Sequence, residues 1–374
     1  MSENQQTAQG ILEVLANGSG FLRVRDSLDA SPQDPYVAQS QMRAFGLRTG
    51  DLVAGTVRPP SGRERSPSLL SIQAVEGEPP ARDQDRPLFD SLTAISPETR
   101  LRLESGPTDL TGRAIDLVAP LGKGQRGLIV APPKAGKTQI LQRIARSVAA
   151  NYHDVVLLLL LVDERPEEVT DFRRDGSGQV FASSFDAAPQ RHLHLARLVQ
   201  ARAERLVERG RDVFVLLDSL TRLARASNLG AKGTGRSLSG GLDAGAVTMP
   251  RQFLGDARNI EGGGSLTILA TVLVETGSRL DEIIFEEFKG TGNWEVRLDR
   301  RTAERRFYPA MDVAASGTRR EELLASEEEL DGMNRLRRYL MDYAQTPEGR
   351  AERLLSLLQA TPTNAELLRR LPRA

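Results

Sequence analysis

Eight consecutive apolar residues, Val155 to Val162 (VVLLLLLV), constrain this chain more than any other segment. The run does not alternate, so a strand built from it must be covered on both faces; it is also far too short to span a bilayer. Similar runs recur as GLIVA up to Ala131, VFVLLD up to Asp218 and SLTILATVLV from Ser265. Helical patterns at Gln139 to Ala150 and Gln190 to Arg209 lie between them. Strands alternating with helices predict a parallel sheet with helices on both sides.

The first part of the chain follows a different grammar. ILEVL, GFLRVR, PYVAQ, DLVAGTVR and LLSIQAV are short, β-rich and parted by Gly, Pro, Ser and Asp, which predicts a small all-β barrel. Glu76 to Arg86, EGEPPARDQDR, is nearly free of apolar residues and reads as a linker. The expected division is a barrel at residues 10–77, a connector at 78–110 and an α/β unit at 111–374 that ends in helices. Capping patterns at Thr318–Glu321 and Thr363–Glu366, and proline after Thr346, predict helix starts. The Gly- and Ser-rich stretch from Gly230 to Gly245 has no apolar period and reads as a functional loop.

Composition narrows the chemistry. The chain has no cysteine, and His153, His192 and His194 lack a ligand spacing, which argues against a thiolate or histidine metal centre. Fifty Lys and Arg balance fifty Asp and Glu, so a polyanion would have to be held by local clusters. The start, MSENQQTAQG, carries no basic and apolar leader, and a soluble cytoplasmic protein without membrane contact is expected. Only five of the fifty basic residues are lysine: Lys123, Lys134, Lys137, Lys232 and Lys289.

Two of those lysines fall in Ala131 to Thr138, APPKAGKT, between a strand and a helix, the context a phosphate-binding loop requires. Backbone amides there bind phosphate oxygens, Lys137 supplies a charge near the β and γ phosphates, and the Thr138 hydroxyl suits magnesium. The first glycine of the standard pattern is alanine. Asp218, ending its apolar strand, is the expected second magnesium group. Glu164, in Asp163-Glu164-Arg165, ends the strand after the loop's helix, where a carboxylate can orient attacking water. ATP and Mg2+ are the expected cofactors.

GLIVAPPKAGKT, DERPEEVTDF, LLDSLTRLARASN, GGSLTILAT, EEFKGTGN and SGTRREELL together resemble the Rho family of transcription termination factors, in its order and spacing, from Leu12 to the C-terminal helices. The resemblance implies an OB or cold-shock-like barrel followed by a RecA-like P-loop ATPase domain. It further implies a homohexameric ring that threads single-stranded RNA and acts on the RNA polymerase elongation complex. By the same resemblance the nucleotide is held by Pro133, Lys134, Ala135, Gly136, Lys137, Thr138, Gln139, Arg165, Arg222 and Tyr308. Catalysis falls to Glu164 and Lys137, with Arg319 as a finger into a neighbouring subunit and Arg300 and Arg306 as further interface arginines. Phe21, Arg23, Tyr36 and Arg65 are the barrel's RNA residues, and Arg236 and Lys289 belong to two channel loops, Gly233 to Gly241 and Glu286 to Gly290. Ser19 and Ser66 replace aromatics of the family pattern, so weaker base stacking is expected. The family's preceding helical subdomain has no counterpart in the nine residues before Gly10; the lineage lacks it or the chain is truncated. Two other readings stand beside this one: a rotary ATP synthase-type subunit, and a passive RNA-binding regulator with a degenerate nucleotide site.

Overall fold

The computed structural model describes residues 6–62, 64–81, 86–230, 241–243 and 245–372. Five strands close the N-terminal barrel in the order β1-β2-β3-β5-β4. They are β1 (Gln6–Val14), β2 (Gly20–Arg23), β3 (Tyr36–Val37), β4 (Leu52–Arg58) and β5 (Ser68–Val75), with a short helix α1 (Gln39–Ala44) between β3 and β4. Leu12, Leu22, Val37, Val53, Val57 and Leu69 fill the barrel, and Met42 of α1 joins that core. The first strand begins four residues before the expected Gly10.

The second unit opens with β6 (Ala94–Ile95), β7 (Arg100–Leu101), α2 (Leu110–Val118) and β8 (Leu121–Gly122). Next come β9 (Arg126–Ala131), α3 (Lys137–Asn151), β10 (Val156–Glu164), α4 (Pro166–Asp175), β11 (Gln179–Ser184), α5 (Pro189–Glu208) and β12 (Asp212–Asp218). The unit continues through α6 (Leu220–Gly230), α7 (Thr248–Gly255), β13 (Arg258–Ile260), β14 (Ser265–Leu273), α8 (Arg279–Lys289), β15 (Trp294–Arg297), α9 (Arg300–Glu304) and β16 (Gly317–Thr318). Helices α10 (Glu327–Tyr343), α11 (Pro347–Gln359) and α12 (Asn364–Arg370) complete it. The main path of the sheet is β11-β10-β12-β14-β9-β15-β16, parallel from β11 through β15. Among the described residues no helix is long and apolar enough to cross a membrane.

The apolar run explains itself here. Side chains of a strand alternate between faces, and Leu157, Leu159 and Leu161 of β10 join one buried cluster while Leu158, Leu160 and Val162 join the other. Helices α2, α3 and α10–α12 cover the first face; α5–α8 cover the second.

Part of the expected connector belongs to the α/β unit. Phe89 is buried in its core, β6 pairs with β13 and β7 pairs with β8. The helix start expected at Thr318 is also corrected. Thr318 lies in β16, pairs with Trp294 and donates its hydroxyl to the Pro120 carbonyl at 2.6 Å. The helix begins instead behind Ser326, whose side chain accepts from the Glu329 amide. Thr346 and Thr363 do cap α11 and α12.

The barrel is fixed to α5 by buried charge. Arg86 pairs both nitrogens with Asp51 at 2.7 and 3.0 Å, and Arg48 and Arg205 both reach Glu208 at 2.8 Å. Arg202 of α5 pairs with Glu76, and His194 Nε2 lies 2.7 Å from Glu13 Oε1. Gly50 has φ +99°, and a Cβ there would lie 2.4 Å from the Ala201 backbone, so the two backbone segments meet at van der Waals contact.

Candidate nucleotide site and RNA-facing barrel

Parallel strands deliver their carboxyl ends to one edge of the sheet, where ligands of such sheets bind. The loop after β9 turns through Lys134 (φ 66°) and Gly136 (φ 90°) into α3. The first amides of α3 lack intrahelical acceptors and face the loop as an anion cradle. Gly136 also lies under Tyr308: a Cβ would sit 3.1 Å from Tyr308 Cε1. Tyr308, Gly136, Gln139, Ile140, Arg143 and Leu298 line a cavity of about 180 Å³, with room for a flat ring. Pro133, Lys134 and Gln139 are exposed and Ala135 is buried.

Glu164 ends β10 and Asp218 ends β12, both nearly fully buried. Lys137 Nζ bridges them, 3.0 Å from Glu164 Oε1 and 2.5 Å from Asp218 Oδ1. Burial alone would pull the Lys137 ammonium down, but the Asp218 and Glu164 carboxylates outweigh it and hold it above the ordinary lysine value. Burial, then the Asp218 charge, push Glu164 above the ordinary carboxylate value against the pull of Lys137 and Arg222. Arg222 of α6 lies 3.4 Å from Glu164 and 3.6 Å from Asp163.

Two contacts carry no local sequence signal. Thr138 donates its hydroxyl to Glu168 Oε2 at 3.0 Å, and Thr271 of β14 donates to Asp218 Oδ1 at 2.7 Å. Asp218 Oδ2 is buried without a hydrogen-bond partner among the described residues. A spare carboxylate oxygen and, at the start of α3, a hydroxyl whose proton is already committed suit Mg2+, which takes one or two protein oxygens and keeps the rest of its shell for water and phosphate.

Lys137, Thr138, Glu164, Asp218 and Arg222 are therefore brought together. Ala135, Gly136, Gln139 and Tyr308 line the cavity beside them, whereas the expected arginines other than Arg222 do not join the cluster. Arg165 is exposed at the start of α4. Arg300 is exposed and bonded to Glu304, and Arg306 is exposed with a left-handed backbone. Arg319 follows β16, and its amide donates to Asn293, beside the amino-terminal ends of β15 and β9. The phosphate loop follows the other end of β9, a six-residue strand, so the Arg319 backbone lies on the order of 16 Å from the chain's own nucleotide loop. Nor is Arg319 in a helical turn. Glu286 to Gly290, expected as a loop, is the last turn of α8 and its cap; Phe288 there is fully buried, and Lys289 remains exposed, 3.9 Å from Glu286. Arg236 lies outside the described residues.

On the barrel, Phe21 and Tyr36 form an edge-to-face pair with centroids 5.8 Å apart, and Tyr36 is exposed. Arg65 is exposed as well. Arg23 is corrected: it is buried, with Nε and Nη2 on Glu13 at 2.6 and 2.5 Å and Nη1 on Asp34 at 2.7 Å. All three guanidinium nitrogens serve the barrel's own structure, because a buried cation is tolerated only when paired.

The Rho termination factor RNA-binding domain model matches residues 8–81, and the nucleotide-binding domain model of the ATP synthase alpha/beta family matches residues 112–318. Transcription termination factor Rho of Pseudomonas fluorescens biotype C is 52% identical over 369 residues, 98% of this chain and 88% of the relative. Its Escherichia coli K12 counterpart is 50% identical over the same span. The chain belongs to the Rho transcription termination factor family. A likeness of fold extends beyond Rho. A type III secretion system ATPase superposes with TM-score 0.63 at 23% identity, covering 84% of this chain and 93% of that one. The ATP synthase subunit NeqB of Nanoarcheaum equitans does so with TM-score 0.58 at 18% identity, covering 74% of each chain. This Rho-family chain thus joins an ATPase-type nucleotide-binding domain to a Rho RNA-binding domain.

Proposed function

We propose that the chain is an RNA-dependent ATPase that moves along nascent RNA as a homohexameric ring and terminates transcription at the RNA polymerase elongation complex. One observation carries this reading: an ion-paired junction joins the unit holding the Lys137–Glu164–Asp218 centre to a barrel presenting Tyr36 and Phe21. A rotary synthase subunit needs no exposed tyrosine packed on a half-buried phenylalanine of its barrel, and a passive regulator needs no buried lysine between two carboxylates.

In this mechanism the α3 amides and Lys137 hold the phosphates, and Tyr308 lies against the base. Lys137 leaves its two carboxylates as phosphate oxygens replace them. Glu164, freed of that partner, accepts a proton from the attacking water, helped by a pKa already above the ordinary carboxylate value. Thr138 and Asp218 Oδ2 would hold Mg2+, which when bound neutralises charge developing on the phosphates. Arg319, remote from its own loop, serves a neighbouring subunit, and Lys289 and Arg236 give a ring of cations for RNA. ATP hydrolysis measured with and without poly-pyrimidine RNA tests the proposal. Stimulation of about tenfold or more is expected; hydrolysis indifferent to RNA would favour the synthase-type reading, and none at all the passive one.

A further inference from the structure

We propose that the cleft between the barrel and α4 is a second RNA subsite, taking the phosphodiester backbone of a single strand after it leaves the barrel. The inference rests on the reading that the barrel binds RNA. The cleft has a volume of about 400 Å³, enough for a nucleotide-sized group. Gln9, Val24 and Arg25 line it from the barrel; Arg173, Gln179 and Phe181 line it from the α/β unit.

Its charges are what set it apart. Other junction cations are paired, Arg191 with Asp29 and Arg202 with Glu76. Arg25 and Arg173 are both exposed, and among the described residues neither guanidinium has a hydrogen bond or ion pair. Arg173 gains something from the C-terminal end of α4, but Arg25 ends no helix, and neither has a stability reason to face the other across a cleft. Asp26, also on the wall, offsets one of the two charges. Arg23 adds nothing, since Glu13 and Asp34 consume it.

A second cavity, of about 660 Å³, adjoins the cleft and shares Gln9 and Val24 with it. Arg65 lies on its wall. The cations are therefore strung along a track, Arg65 and then Arg25 and Arg173, rather than gathered at one point. A compact anion needs convergent donors; a strung-out row suits a charged polymer. The far end of the track has a consequence for the motor. Helix α4 starts directly after Glu164 and Arg165 and gives Glu168 to Thr138, so a strand in the cleft touches the helix that borders the nucleotide centre.

The test is binding of oligocytidines of increasing length to the full chain, without nucleotide, over a range of salt. Wild type should gain affinity in a step once the strand reaches past the barrel. Arg25→Gln and Arg173→Gln should each remove that step, weakening long oligomers on the order of three- to tenfold and lowering the salt slope by about 0.7, with short oligomers bound as before. Arg174→Gln, the adjacent exposed arginine that does not line the cleft, should leave the step intact. Equal effects of Arg173→Gln and Arg174→Gln would overturn the subsite, as would removal of the step by inorganic phosphate at matched ionic strength, which would make it a simple anion site. Absence of oligocytidine binding at every length in wild type would sink the barrel's RNA role and the subsite together; loss of the length step alone would sink only the subsite.

Discussion

Lys137 is held by two carboxylates, so on the proposed reading nucleotide binding would exchange the partners of one ammonium. The two carboxylates differ in what remains to them. Asp218 keeps Thr271, whereas Glu164 keeps only the more distant Arg222. Lys137→Ala and Glu164→Gln should therefore each lower hydrolysis by about a hundredfold or more, but only the first should weaken nucleotide binding. Phosphate release and titration with a fluorescent nucleotide separate the two; wild-type turnover in Glu164→Gln would remove the assignment. Thr138 and Gly136 were legible from their places in the loop motif. Glu168 and Thr271 were not, because a hydroxyl's choice of acceptor depends on which helix or strand lies across from it, and no local spacing records that. Arg23 misled for a related reason: a motif arginine beside Phe21 reads as a nucleic-acid contact, and only the fold brings Glu13 and Asp34 to it.

Helix α5 shows the same limit one level up. Its apolar period was plain in the sequence, yet its polar face is what the barrel docks on. Burial pushes the Glu204 carboxyl of this helix to about 7, against the pull of Arg205 and with the help of Asp256, Asp90 and Glu208. The sign follows from linkage: a carboxyl whose folded pKa is raised is destabilising once ionised, so its cost grows as pH rises from about 4.5 to about 7 and is complete above that. Glu204→Gln should stabilise the chain by about 1–3 kcal/mol at pH 8 and by little at pH 4. Denaturant unfolding at the two pH values checks this, and a gain independent of pH would contradict it. Among the elements, the long strands were readable because a parallel sheet needs uninterrupted apolar runs. Helix α1 was not: it has six residues, and Met42 is its only buried one. The false helix start at Thr318 had the right letters, but the Pro120 carbonyl, far away in sequence, claimed the hydroxyl first.

For the assembly, the decisive placement is that of Arg319, at the amino ends of β9 and β15 while the phosphate loop sits at the carboxyl end of β9. On the proposed reading, an arginine so far from its own phosphate loop would serve another subunit's. Mixing Arg319→Ala with wild type should thus reduce activity more than in proportion to the mutant fraction; proportional loss in rings shown to be mixed would contradict the trans role. The barrel's attachment bears on how such a ring would do work. Buried Asp51 takes Arg86 from beyond the barrel, and buried Glu208 takes Arg48 from the barrel besides Arg205 of its own helix, so moving the barrel away would cost it paired buried charge. On the proposed reading, RNA gripped by the barrel would be held by a lever arm rather than a tether, and a pull on the transcript would be felt as torque on α5 and the sheet behind it.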